Sequence, residues 1–202
     1  MRKIEEKYEP ILIEKVFIHE LGHYIANKIN HKNGQTVGPK AIIFYPCEAN
    51  DLDLCGCTDR DSLDPIIDML HKDRFGYNVG RLIMGCVFQS YYLVEGIGGC
   101  LTQNGHNDNW ELRILKNNFA KGDIFKLAAI SNSELQFLKT LKEERDLDFL
   151  YKLKPLDFIG ELQDDGKWYV DLEKLENRLE ELGYKSFESK YINYVSELNA
   201  AI

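Results

Sequence analysis

The sequence predicts a mainly α-helical protein with a minor β component, an α+β fold. Apolar residues recur at helical spacing over residues 10–29 and again over 77–95. The clearest β-prone run, 41–45, is short and bounded by prolines. The last third is charged and amphipathic, with helix caps and a single hairpin signal.

Taken in order, residues 1–9 are charged and expected to fray. Pro10 suits the first turn of a helix, where its missing N–H costs nothing. Ile11, Leu12, Val16, Phe17, Leu21, Tyr24, Ile25 and Ile29 then form so broad an apolar face that the helix is expected to be buried. Asn30–Gly34 stops it, with Gly34 a left-handed cap. Ala41–Tyr45 reads as a strand, and residues 47–64, acidic and without period, as a surface loop. Asp64-Pro65 opens a short helix to about Asp73, and Tyr77–Glu95 forms a buried one that Gly96–Gly99 breaks. Gly80 and Gly85 within it mark close packing. Asn107 or Asp108 caps a helix to about Phe119. Ser131–Tyr151 reads as a serine-capped helix, and Phe158–Val170 as a hairpin turning at Asp165-Gly166. Helices over 171–182, closed by Gly183, and 186–199 follow. Chemistry-bearing residues concentrate in 1–125, read as a core domain, with 126–202 a helical extension packed on it or continuous with it.

A net charge of −8 without a basic stripe argues against a nucleic-acid partner. No run reaches the ~18 apolar residues of a membrane span. The N-terminal residues lack the apolar run of a secretory signal, so a cytoplasmic location is expected. Five cysteines, an odd number, then read as free thiols rather than a disulfide framework. Cys55-Gly56-Cys57, with Cys47 nearby, is a weak candidate for a separate metal.

The first helix carries His19-Glu20-Leu21-Gly22-His23. Residues i and i+4 share a helix face, so both imidazoles can reach one ion. Glu20 then lies beside the ion, where a general base takes a proton from a metal-activated water. HExxH thus encodes two zinc ligands and a catalytic base, and implies a zinc metallopeptidase acting on peptide bonds. Gly22 costs about 1 kcal/mol against alanine in mid-helix, so another backbone or the substrate is expected to pass close to it. A catalytic zinc has a third protein ligand. The candidates are Asp108, Glu95, His106, Cys100, His71 and the Cys47/Cys55/Cys57 group, and donor chemistry alone divides the choice evenly between Asp108 and Glu95.

Residues 10–120 resemble the peptidase part of the FtsH family of ATP-dependent zinc proteases. The likeness lies in the His-Glu-x-Gly-His run at 19–23, the helix ending at Glu95-Gly96, and a glycine-containing turn leading to Asn107-Asp108. The resemblance implies a helical zinc-peptidase domain with a short strand or hairpin beside the HExxH helix. It makes Glu20 the catalytic base and His19, His23 and Asp108 the ligands of Zn2+. The substrate would be a peptide or unfolded protein. The chain has no GxxxxGK[ST] nucleotide loop and no membrane span, so a separate ATPase or a homo-oligomer is the company the resemblance suggests. The family's acidic run is replaced by Met84–Ser90, and His106 is unusual in the turn. Two alternatives stand beside this reading: an inactive or regulatory zinc-binding module of the same fold, and a zincin of another clan with Glu95 as third ligand. The strand at 41–45 is expected to align the substrate backbone.

Overall fold

Helix α1 (Pro10–Lys32) is the element around which the rest is assembled, in a computed structural model that describes residues 2–34, 37–48, 50–60, 74–94, 100 and 106–202. The side chains of residues 50, 51, 60, 106 and 107 lie outside that description. Pro10 opens α1, and the helix is buried on almost its whole circumference from Phe17 to Asn30. It ends where the Asn33 side chain donates to the Ile29 carbonyl and Gly34 takes φ of 70°. That left-handed residue is the cap expected of Gly34.

Helix α2 (Phe75–Tyr92) crosses α1, buried from Phe75 to Ser90 with one intermediate position at Tyr77. A Cβ on Gly22 would collide with the Met84 carbonyl and stand 2.9 Å from the Gly85 nitrogen. The close neighbour expected at Gly22 is therefore the backbone of α2. Strands β1 (Pro39–Cys47) and β2 (Asn50–Arg60) form an antiparallel hairpin, and β3 (Trp168–Tyr169) pairs with β1 on its other side, giving the order β2-β1-β3.

Several expectations need correcting here. Residues 2–9, expected to fray, do not: Ile4–Glu6 form a 3₁₀ turn, and Ile4 and Tyr8 are buried. Residues 50–60 form a strand, not a loop. The alternation is there, with Leu54 buried, Gly56 against Val16 and Glu20, and Thr58 bonded to Glu20. It is carried by residues too small or polar to show in a hydrophobic pattern. Both prolines that seemed to bound the first strand lie inside β1, at its two register shifts, where a missing N–H interrupts no ladder. Cys47 and Cys55 are not free thiols: they form a disulfide across the β1–β2 hairpin, while Cys57, Cys86 and Cys100 remain free. Compartment reasoning could not see that the hairpin brings the two cysteines together.

Helix α3 (His106–Ala120) starts close to its predicted position. Helix α4 (Ile124–Glu143) begins seven residues before Ser131, because Asp123 caps it, accepting from the Phe125 and Lys126 amides. It ends eight residues before Tyr151, with Arg145 at φ of 57° and a short 3₁₀ turn at Asp148–Lys152. The 158–170 hairpin has short arms, bonded at Gly160–Tyr169 and Gln163–Lys167, with Gly166 at φ of 78° in its turn. Helix α5 (Leu172–Leu182), capped by Asp171 and closed by Gly183, and α6 (Lys185–Ala200) match the pattern. The predicted helix at 64–73 and the glycine break at 96–99 fall outside the described residues.

One hydrophobic cluster runs from Ile4 to Leu198. Phe17 stacks between Phe44 and Phe158, with ring centres 6.4 and 6.0 Å away. Phe88 of α2 meets Phe187 of α6 edge to face at 5.2 Å. Residues from both sides of position 125 thus share one core, and they hold α1 between the sheet and α2. Among the described residues, no helix is long and apolar enough to cross a membrane.

Candidate metal centre

His19 and His23 stand one turn apart on α1, and Asp108, in the first turn of α3, faces both. His19 Nε2 and His23 Nε2 are 3.1 Å apart, and they lie 3.2 and 3.1 Å from the same Asp108 Oδ2. These three atoms form a near-equilateral triangle. A tetrahedral ion with bonds of about 2.0–2.1 Å to imidazole and carboxylate donors would hold them roughly 3.3 Å apart. The side lengths and donor types therefore fit a metal ion.

Hydrogen bonding on the far side of each ring supports the same conclusion. His23 Nδ1 lies 2.7 Å from the Arg81 carbonyl, which can only accept, so the proton is on Nδ1 and the Nε2 lone pair faces the triangle. His19 Nδ1 lies 3.7 Å from Cys100 Sγ. Two lone pairs and a carboxylate oxygen at these distances repel one another unless a cation is shared among them. Titration behaviour agrees. Burial works to lower the His19 pKa, but hydrogen bonds to Asp108 and Cys100 and the charges of Glu20 and Asp108 push it up to about 10. Burial opposes charge on His23 as well, and Asp108 overcomes it to raise that pKa. Burial works to raise the Asp108 pKa, and the two imidazoles nevertheless hold it well below the usual carboxylate range. The site attracts positive charge as a unit.

Gly85 of α2 makes room for it. A Cβ there would run into the imidazoles, 2.8 Å from His19 Nε2. Glu20, only 7% exposed, turns away from the triangle toward β2, where the Thr58 hydroxyl is 3.0 Å from Glu20 Oε2 and 2.9 Å from its backbone carbonyl. Gly56 passes so close that a Cβ would be 2.7 Å from Glu20 Cγ. A cavity of about 270 Å³ opens over these groups, lined by His19, Glu20, His23, Thr58, Arg81 and Asp108. A second, of about 410 Å³, continues on the other side of Glu20 past Tyr45, Gly56 and Gln89.

The structure thus brings together His19, His23 and Asp108, with Glu20 beside them. Asp108 lies inside α3 rather than at its N-cap, and its carboxylate faces the histidines. Glu95 and His71 lie outside the described residues, as does the His106 side chain. Cys47 and Cys55 are taken by their disulfide, and Cys57 lines the cavity without joining a ligand group among the described residues. Among the described residues β1 is paired on both sides and β2, beside Glu20, on one, so β1 is not a free edge for a substrate backbone. Thr58 and Arg81 went unnoticed in the sequence, since a lone threonine on a loop-like run and an arginine in an apolar helix carry no motif. Cys86, buried with Cys100 beside His19, gave no signal apart from its helical position. Comparison with known protein families, curated proteins and solved structures gives no match, so the site is read from its own geometry.

Proposed function

We propose that this chain is a zinc-dependent metallopeptidase that hydrolyses peptide bonds, with His19, His23 and Asp108 holding Zn2+ and Glu20 as general base. The observation that carries the reading is the triangle of Nε2, Nε2 and Oδ2 atoms with an adjacent carboxylate that is not part of it. Two imidazoles, one carboxylate and an open side toward a cavity are the donor set of a catalytic zinc rather than a closed structural one. Bound zinc supplies an acidified water and a Lewis acid for the scissile carbonyl.

The protein's own residues then have separable tasks. Glu20 accepts the proton of the attacking water and delivers it to the nitrogen of the leaving amine. Thr58 donates to Glu20 Oε2 and fixes the direction of the carboxylate. The outer edge of β2 offers its backbone groups to an extended peptide, which would lie across the cavity by strand addition. The approach of one Asp108 oxygen to both imidazoles is what supports the FtsH-type ligand set within this reading.

The test is cleavage of an unstructured peptide library by zinc-loaded protein, read by mass spectrometry, against Glu20→Gln. The wild type is expected to cut, and the variant to keep its zinc and lose at least two orders of magnitude in rate. A wild type that binds zinc and leaves every peptide intact would overturn the enzymatic reading in favour of a binding module.

A further inference from the structure

A metal-binding histidine needs its second ring nitrogen fixed, and the two histidines here achieve this differently. His23 donates to a backbone carbonyl, that of Arg81. For His19 the neighbour of Nδ1 is a sulfur, Cys100 Sγ at 3.7 Å. Cys86 lies beside Cys100, with the two sulfurs and a His19 ring nitrogen within 4.8 Å of one another, and both cysteines are fully buried. The two nitrogens of one imidazole point to opposite sides of the ring. The cysteine pair therefore lies behind His19, away from His23 and Asp108, and the two groups share only His19.

We propose that Cys100 is a positioning residue of the metal centre: its sulfur accepts the His19 Nδ1–H, sets the tautomer and directs the Nε2 lone pair at the ion, while Cys86 holds that sulfur in place. The proposal rests on the reading of His19 as a metal ligand. Without an acceptor behind the ring, a buried Nδ1–H is left unpaired. The proton then moves to Nε2, and that tautomer cannot bind the ion through Nε2. Loss of such a partner typically lowers metal affinity by about 10–100-fold.

The experiment compares full-length wild type with Cys100→Val, which keeps the bulk and removes the acceptor, and Cys100→Ser, which keeps an acceptor. Zinc affinity is measured by competition with a chromophoric chelator, and the coordination sphere by the absorption of the Co2+-substituted protein. Cys100→Val is expected to bind zinc about 10–100-fold more weakly and to shift the cobalt d–d bands, with Cys100→Ser recovering most of both. Equal affinity and identical spectra in wild type and Cys100→Val would overturn the proposal. So would a sulfur-to-cobalt charge-transfer band in wild type, which would make a cysteine a ligand. Should Cys100→Val fail to fold, ¹H–¹⁵N NMR of zinc-loaded wild type and Cys100→Ser still decides: a His19 Nδ1–H resonance that moves while that of His23 stays supports the role, and one unmoved by the substitution refutes it. A wild type that takes up no zinc at all overturns the parent reading, and this one with it.

Discussion

Two imidazole nitrogens and a carboxylate oxygen held 3.1–3.2 Å apart cost free energy unless positive charge is shared among them. The ligands should therefore be separable from the base by metal content. His23→Ala and Asp108→Ala are each expected to lose stoichiometric zinc on dialysis, measured by elemental analysis, whereas Glu20→Gln keeps about one ion per chain. Protons and metal compete for the triangle, and the sign of each pH effect follows. The His19 pKa is raised from 6.5 to about 10 in the folded, metal-free protein. The stability it contributes is complete below 6.5 and is lost as pH rises through 10. The melting temperature of chelator-treated protein should fall over that window by more than that of His19→Ala. Zinc affinity should rise over the same window, because metal binding displaces those protons. At this scale much was legible beforehand. That His19 and His23 meet follows from helical spacing, because i and i+4 must share a face. That Asp108 joins them was suggested by the resemblance alone, since nothing local distinguishes a residue that faces the histidines from a cap.

Between elements, the position of the site depends on how closely α1 and α2 approach. Gly22 and Gly85 are the two residues that permit it, and they should fail differently. Gly22→Ala would push α1 off the Met84 carbonyl, at an expected cost of about 1–3 kcal/mol in urea unfolding. Gly85→Ala would place its methyl against His19 and His23 Nε2. It is expected to weaken zinc binding more than it lowers stability. Asp123→Ala removes the cap of α4 and should cost about 1 kcal/mol, well away from the metal centre. The helices with clear periodicity, α1, α5 and α6, were readable from sequence, helped by Pro10 at the start of α1 and by Asp171 and Gly183 at the ends of α5. β2 was not, because an edge strand that packs Gly56 and Thr58 against a helix carries little hydrophobic signal. The early start of α4 was missed because only Ser131 was read as a cap, whereas the chain turns at Gly122, at φ of 79°, and Asp123 caps the helix there.

For the whole molecule, the sheet, α1 and α2 form a clamp, and the last third of the chain completes the core behind it through Phe158, Trp168 and Phe187. The disulfide ties the β1–β2 hairpin that carries Thr58 over Glu20. Thiol titration of denatured, unreduced protein is expected to find three reactive cysteines, and five after reduction. The α+β class was legible because it depends on periodicity summed over long segments. The disulfide and the assembly of Asp108 with α1 were not, because they depend on which distant segments meet. The central claim is that His19, His23 and Asp108 converge on one ion, and it is tested most directly by zinc-edge anomalous diffraction from crystals of the zinc-loaded protein. The expected result is a single strong peak about 2.0–2.1 Å from His19 Nε2, His23 Nε2 and Asp108 Oδ2. A map with no peak there, or with its peak between Cys86, Cys100 and His19 Nδ1, would contradict it.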